Sequence, residues 1–141
     1  MHEILFWIII GIIVADFLFE KYLDYLNTKT MSVVLPDEVK GIYDEDKYKK
    51  QQAYQRENQR FGLWSSGFSF ALTLAMFLFY GFAFVDNLAW GFTSSAILAA
   101  LFFFGLIMFA SDILSIPFSV YSTFVIEEKY GFNKTTPKTF V

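Results

Sequence analysis

The sequence predicts an all-α integral membrane protein with three transmembrane helices, a cytosolic helix in the first loop and a short helix after Pro117. Three observations predict this class. Of the 141 residues, 55% are hydrophobic and 21% aromatic, more apolar surface than a soluble domain of this length can bury. The apolar residues form three long runs. Most of the basic residues lie between the first two runs.

The first predicted span covers about residues 4–26. Its apolar run, residues 4–19, is interrupted only by Gly11 and Asp16, and the following Tyr and Leu residues extend it toward the roughly 30 Å of a bilayer core. A cleaved signal peptide is the alternative. Glu3 stands where a basic segment is expected, and no small-residue cleavage site precedes Lys21, so we expect an uncleaved helix.

The first loop contains a predicted cytosolic helix over about residues 36–60. Pro36, followed by acidic residues, is a typical helix start. Val39, Ile42 and Tyr43 follow the spacing of one buried helical face. We expect this helix to run into the second span or to dock on it. A connecting role and a contact with substrate both remain open.

The second and third predicted spans cover about residues 61–85 and 88–116. The second run is uncharged over its whole length, and the third has Asp112 as its only charge. Only Asp86 and Asn87 separate them, which predicts a tight turn and a helical hairpin. Pro117 follows the third span and is expected to mark a kink or a break, because proline removes a backbone donor and clashes with the preceding turn.

The distribution of basic residues predicts the orientation. Residues 20–60 hold eight of the eleven Lys and Arg residues, the turn at 86–87 holds none, and the tail, residues 118–141, holds three. Because Lys and Arg are retained on the cytoplasmic side, we expect the N-terminus outside and the C-terminus in the cytosol. Gly131 is expected to stop the short helix of this tail.

Four acidic residues are candidates for polar chemistry. Asp16 and Asp112 lie inside or near the edge of spans, where an ionisable group marks a polar chamber unless it reaches headgroup water or pairs helices. Glu127 and Glu128 are adjacent in sequence, so they point about 100° apart on a helix and cannot act together on one bond. Pairing of one of them with a basic residue elsewhere is the structural alternative.

No catalytic motif occurs in the sequence. It has no Cys and a single histidine, His2, so an ordinary zinc site cannot be assembled from its residues. His-Glu-x-x-His, a Gly-rich phosphate loop and G-x-S-x-G are all absent. No basic stripe exists, which excludes nucleic acid as a partner. The residues alone therefore indicate only a membrane protein with three spans.

Two blocks of the sequence resemble a known family. LPDEVKGIYDEDKYKKQQAY in the first loop and IPFSVYSTFVIEEKYGFNKTT after the third span are similar to the N-terminal membrane domain of the CAAX prenyl protease 1 family. The second block is the more specific of the two. Its signature positions, to which the resemblance assigns no role, are Pro117, Tyr121, Phe124, Glu127, Glu128, Gly131, Phe132 and Asn133. The resemblance covers the chain from Asp24 onward.

The resemblance implies an intact enzyme with seven spans around a chamber. Its zinc would be held by two His of an HExxH helix and a later Glu, while the HExxH Glu acts as general base. It would cleave C-terminal peptides from prenylated substrates, or other membrane peptides.

Because none of these zinc ligands occurs here, we expect the chain to be truncated before the catalytic motif, to bind no metal and to be inactive alone. Its expected partners are the lipid bilayer and the rest of the parent chain. A non-enzymatic membrane scaffold or partner-binding protein is the alternative.

Overall fold

The computed structural model describes residues 2–30 and 44–140, and all regular structure among these residues is helical. This confirms the all-α class. The helices, in chain order, are α1 (His2–Thr30), α2 (Glu45–Leu78), α3 (Gly81–Phe92), α4 (Ala96–Tyr121), a π-helical stretch (Ser122–Glu127) and the single turn α5 (Pro137–Phe140).

The described chain divides into two compact units. Unit 1 comprises residues 1–66 and 122–141, and unit 2 comprises residues 67–121. Unit 1 therefore contains α1, the first part of α2 and the tail. Unit 2 contains the end of α2 together with α3 and α4.

Helix α1 is longer than predicted and presents apolar side chains to its surroundings. It continues past residue 26 to Thr30. Ile4 and Trp7 are 67% and 62% exposed. Near its end, the hydroxyl of Thr28 donates to the side-chain oxygen of Gln59 in α2 at 2.9 Å. Asp16, on the same helix, is exposed.

Helix α2 joins the predicted loop helix to the second predicted span. It begins after Asp44, whose carboxylate accepts from the backbone N–H groups of Asp46 at 2.9 Å and Lys47 at 3.2 Å. This is the arrangement of an N-cap. From Glu45 the helix continues without a break to Leu78, so the expectation that the loop helix runs into the second span is confirmed. The predicted start at Pro36 lies outside the described residues.

The turn predicted at Asp86 and Asn87 is wrong, because both residues lie inside α3. The chain breaks instead at Tyr80, which adopts a left-handed conformation with φ 59°. Gly81 follows, and a Cβ atom at this position would lie 2.5 Å from the sulfur of Met76. The absence of a side chain at Gly81 thus permits the close approach that the break requires.

Helices α3 and α4 form the helical hairpin of unit 2. The three residues between them include Thr93, whose hydroxyl accepts from the backbone N–H of Ser95 at 3.1 Å. Ala89 of α3 is 0% exposed and Ala99 of α4 is 3% exposed. Such small residues let two helix backbones approach closely. The predicted hairpin paired residues 61–85 with residues 88–116, whereas the observed one pairs the short helix α3 with α4 through a turn of Thr and Ser.

The separate short helix predicted after Pro117 is also wrong, because the helix does not break at this proline. Pro117 lies within α4, which continues to Tyr121 and then into the π-helical stretch. Proline fixes φ near a helical value, and in apolar helices the lost hydrogen bond is tolerated when neighbouring groups compensate. The helical run ends where expected, at Gly131, which has φ 66°.

Two helical segments of the described residues are long and apolar enough to cross a membrane. They are Glu45–Leu78 and Ala96–Glu127. Length and composition alone support this assignment. α1 carries Glu3, Asp16 and Glu20 among its apolar residues, and the count of three spans stays a prediction.

Candidate functional site

In unit 1, the carboxylate of Glu57 on α2 receives two side chains from the tail. The Lys129 ammonium nitrogen lies 2.7 Å from Oε2 and 3.0 Å from Oε1 of Glu57. The hydroxyl of Tyr130 donates to the same Oε2 at 2.7 Å. These contacts join residues more than seventy positions apart in sequence. We call Glu57, Lys129 and Tyr130, together with the adjacent Lys50, Tyr54 and Phe132, the Glu57 cluster.

Aromatic rings extend the Glu57 cluster along α2. The ring of Tyr54 meets those of Tyr130 and Phe132 edge to face, with centroids 5.6 Å and 4.9 Å apart. The ammonium nitrogen of Lys50 lies 5.6 Å from the centroid of Phe132, within the range of a cation–π interaction. Lys50, Tyr54 and Glu57 are spaced four and three residues apart, so they lie on one face of α2.

The tail reaches this face because its helix ends in a Schellman motif. The N–H of Gly131 donates to the carbonyl of Glu128 and that of Phe132 to the carbonyl of Glu127, both at 2.9 Å. Gly131 supplies the left-handed residue that the motif needs. The turn sets Tyr130 and Phe132 on either side of it, where both contact Tyr54.

Side-chain hydrogen bonds hold the residues after the turn. The amide of Asn133 donates to the carboxylate of Glu128 at 2.8 Å, and its oxygen accepts from the N–H of Thr135 at 2.7 Å. Farther along, the ring of Phe140 packs on that of Phe124, with centroids 5.3 Å apart. The end of the tail thus folds back on the π-helical stretch, in which Ile126 is completely buried.

The contacts shift the proton affinities of the two acidic groups in opposite directions. Hydrogen bonds from Lys129 and then from Tyr130 hold the pKa of Glu57 below its ordinary value. The bond that it donates to Glu57 raises the pKa of the Tyr130 phenol. At neutral pH the arrangement is therefore a carboxylate with an ammonium and a neutral phenol.

These contacts are suited to holding the tail on α2 rather than to catalysis. A general base works best with a pKa near the working pH, and the pKa of Glu57 moves away from that range. Among residues 2–30 and 44–140, no three His, Cys, Asp or Glu side chains group closely enough to hold a metal ion. The described residues thus do not fit a zinc site, which needs three or four such ligands.

The structure brings some of the sequence-predicted residues together and separates others. Phe132 lies in the Glu57 cluster, Glu127, Glu128, Gly131 and Asn133 take part in the turn beside it, and Phe124 packs on Phe140. Pro117 and Tyr121 lie in α4, within unit 2, as does Asp112. Asp16 lies on α1. A position of Asp16 and Asp112 inside the membrane, and a role for them in a polar chamber, stay predictions.

The central residues of the cluster escaped the sequence analysis. Glu127 and Glu128 were considered for a pair with a basic residue of another segment, whereas the pair is made by their neighbour Lys129 with Glu57. Lys50 and Tyr54 lie in the predicted loop helix, for which the sequence indicates no specific contact. The spacing of Lys50, Tyr54 and Glu57 on one helical face was the available signal, but nothing local indicated its partner.

Comparison with protein families identifies the domain. A family model described as CAAX prenyl protease N-terminal, with five membrane helices, matches residues 24–141. The chain belongs to this family. The resemblance inferred from the two sequence blocks is thus confirmed, and with it the assignment to integral membrane proteins.

Curated relatives of the CAAX prenyl protease family match over most of the chain. The probable CAAX prenyl protease 1 of Schizosaccharomyces pombe is 36% identical, in an alignment covering 92% of this chain and 31% of that protein. The CAAX prenyl protease 1 homolog of Mus musculus is 35% identical over 76% of this chain and 24% of its own length. The chain therefore spans about a quarter to a third of these relatives.

A solved structure of the family has the same fold. The crystal structure of S. mikatae Ste24p aligns with a TM-score of 0.77 and 30% sequence identity. The alignment covers 91% of this chain and 31% of that one. The chain is thus similar to an N-terminal membrane region of this protein family in both sequence and structure.

Proposed function

We propose that this chain is the N-terminal membrane domain of an integral-membrane zinc metalloendopeptidase of the CAAX prenyl protease type. In this proposal it forms part of the wall of an intramembrane chamber. The match of the family model over residues 24–141 carries the proposal. Prenylated peptides, or other membrane peptides, are the proposed substrates.

In this proposal, the Glu57 cluster contributes by holding the tail in a fixed position on α2. It holds the tail against the N-terminal part of α2 through an ion pair, a phenol hydrogen bond and three aromatic rings. In a longer family member, the residues that follow the tail would then begin at a fixed position relative to α2. Because active-site geometry depends on positioning to within an ångström, a fixed wall supports catalysis without contacting the reacting atoms.

Zinc would supply the chemistry of the proposed enzyme by polarising the scissile carbonyl and activating a water molecule. The ligands would belong to the part of the relatives' length that this chain does not span. The described residues of this chain offer no suitable group, so no catalytic step is assigned to them.

An activity assay tests the proposal. The protein is purified at the length that its gene encodes and incubated with a farnesylated C-terminal peptide, with and without a zinc chelator. We expect cleavage that the chelator abolishes and that added zinc restores. A gene-length protein that leaves the peptide intact, or zinc-dependent cleavage by residues 1–141 alone, would contradict the assignment. The first result would support a membrane scaffold.

The topology that we propose has three spans, with the N-terminus outside and the C-terminus in the cytosol. The presence of eight of the eleven basic residues within residues 20–60 supports it. The chain contains no Cys, so single cysteines can be introduced without background labelling. A membrane-impermeant thiol reagent on intact cells should label Ser94→Cys but not Gln51→Cys. The reverse pattern would overturn the orientation, and labelling of both would overturn the number of spans between them.

A further inference from the structure

An open groove of about 450 Å³ runs between α3 and α4 in unit 2. Its lining includes Phe82, Asp86 and Trp90 from α3, and Ala96, Ala100 and Phe104 from α4. The residues of each helix recur every four positions, so they form one stripe on each helix. The groove is therefore a consequence of how the hairpin packs. Its volume falls within the roughly 300–1,000 Å³ of small-molecule sites.

Asp86 is the one charged side chain among the residues that line this groove. The sequence contains no Lys, Arg or His between Arg60 and Lys129. Unit 2, which lies within that stretch, therefore contains no basic side chain that could pair with Asp86. A carboxylate in an apolar setting is costly unless it is paired or hydrated, so a cation from outside unit 2 would be favoured here.

The aromatic residues of the groove favour one kind of cation. Trp90 and three phenylalanines, Phe82, Phe103 and Phe104, line the groove together with Asp86. Aromatic faces beside an acidic group are the usual means by which proteins bind alkylated ammonium groups. The remaining lining residues are alanines, whose small side chains leave an apolar slot for a hydrocarbon chain.

The residues at one end of the groove are of the types found at a membrane surface. Trp90 is two residues before the end of α3, and the polar turn of Thr93, Ser94 and Ser95 follows. Tryptophan concentrates at the level of lipid headgroups, and a hydroxyl-rich turn belongs in water or at its boundary. We therefore expect one end of the groove at the membrane surface, where lipid headgroups are present at high density.

We propose that this groove binds the ammonium headgroup of a zwitterionic phospholipid, phosphatidylethanolamine or phosphatidylcholine. Asp86 pairs with the ammonium, Trp90 offers its ring face to the same group, and the alanine slot takes part of an acyl chain. The site belongs to unit 2, whereas the Glu57 cluster belongs to unit 1, and lipid binding there does not require proteolytic activity.

Lipid retention tests this directly. The protein, at the length its gene encodes, is reconstituted in nanodiscs of equal amounts of phosphatidylethanolamine and phosphatidylglycerol with identical acyl chains. After release into mild detergent, native mass spectrometry counts the retained lipids. Wild-type protein should retain more phosphatidylethanolamine. Asp86→Asn should lower the ratio about threefold to tenfold, the range of an exposed ion pair or cation–π contact.

Two variants serve as comparisons. Asp112→Asn removes the other acid of unit 2, which does not line the groove, and should leave the ratio unchanged. Trp90→Leu keeps the site apolar but removes the ring face, and should lower the retention of phosphatidylethanolamine without affecting phosphatidylglycerol. Circular dichroism must give equal helix content for all variants that are compared.

A ligand-side control needs no substitution. N-acetylation of phosphatidylethanolamine removes the positive charge and keeps the rest of the lipid, so wild-type protein should lose its preference for it. Equal retention of all three lipids by wild-type protein would overturn the proposal, as would a ratio unchanged in Asp86→Asn. A carbodiimide cross-link from Asp86 to a lysine of the same or another protein chain would also overturn it, because the cation would then belong to a protein.

Discussion

The two units of the chain hold their helices together by different means. In unit 1, α2 and the tail meet through the charged, hydrogen-bonding and aromatic side chains of the Glu57 cluster. In unit 2, α3 and α4 meet around Ala89 and Ala99, which have no polar atoms in their side chains. The first contact therefore depends on chemical identity and pH. The second depends on the size of side chains, as expected for helices that pack in lipid.

Enlarging a buried alanine should give the largest effect. Ala99→Leu adds three carbons where only 3% of the residue is exposed, so the α3–α4 hairpin must open or shift. Overpacking of this kind typically costs about 1–3 kcal/mol. Reversible unfolding in mixed detergent measures the change in the free energy of unfolding. Ala110→Leu, at an exposed position of the same helix that does not line the groove, is the matched control and should change little. Equal losses in both variants would contradict packing at Ala99.

Substitution at the left-handed glycine should cost less. Gly131→Ala places a Cβ on a residue with φ 66°, at a cost of about 1–2 kcal/mol. The new carbon would lie 3.5 Å from Lys50 Nζ, an ordinary contact, so the cost comes from the backbone. The same unfolding assay applies. Gly105→Ala, inside α4 with open space around it, should instead be neutral or stabilising. The Schellman motif would be in doubt if both variants behaved alike.

Removing one hydroxyl should change the Glu57 cluster more subtly. Tyr130→Phe keeps the ring against Tyr54 but removes the hydrogen bond to Glu57. The pKa of Glu57 should therefore rise but stay below its ordinary value, because Lys129 remains. An NMR titration of the Glu57 carboxyl carbon measures it. Tyr22→Phe, on α1, should leave that pKa unchanged, and an unchanged pKa in Tyr130→Phe would contradict the bond.

The smallest effect should be the pH dependence that Glu57 and Tyr130 give to the stability of unit 1. The pKa of Glu57 is lower in the folded chain, so its contribution is present above the unfolded value of 4.5 and disappears as the pH falls through the folded pKa. The pKa of Tyr130 is raised, so its contribution is lost as the pH rises above 10.0. The stability difference between wild type and Glu57→Gln should thus be greatest near neutral pH and vanish in acid. A difference that persists in acid would argue against an ionised Glu57.

Several features of the fold were predictable because they depend on local sequence. Composition alone indicated the membrane class, and Gly131 after a helical run indicated the left-handed stop. The continuity of α2 followed from a stretch with no proline and few glycines. In each case the residues near the feature determine it, so no distant contact had to be known.

The errors occurred where local signals compete. Asp86 and Asn87 are good turn residues, but they are also compatible with a helix, and packing of α3 on α4 decides between the two. The break occurs at Tyr80, a residue type that rarely adopts a left-handed conformation. A proline usually ends a helix in a water-soluble protein, whereas α4 continues through Pro117.

The candidate site was predictable only in part. The resemblance pointed to the tail, including Gly131, Phe132 and Asn133, without saying what they contact. The partner face on α2 could not be deduced, because Glu57 and Lys129 are far apart in sequence and each is flanked by other charges. A contact between residues that are far apart in sequence can be predicted only when the fold that brings them together is known.

A charge-swap cycle on the Glu57 cluster tests most directly whether paired side chains fasten the tail to α2. Glu57→Lys and Lys129→Glu each place like charges together, and the double variant restores the pair in reverse. The yield of a zero-length carbodiimide cross-link between positions 57 and 129, measured with unfolding stability, reports the contact. We predict that both single variants lose the cross-link and stability and that the double variant recovers both. A double variant no better than the single ones would contradict the account.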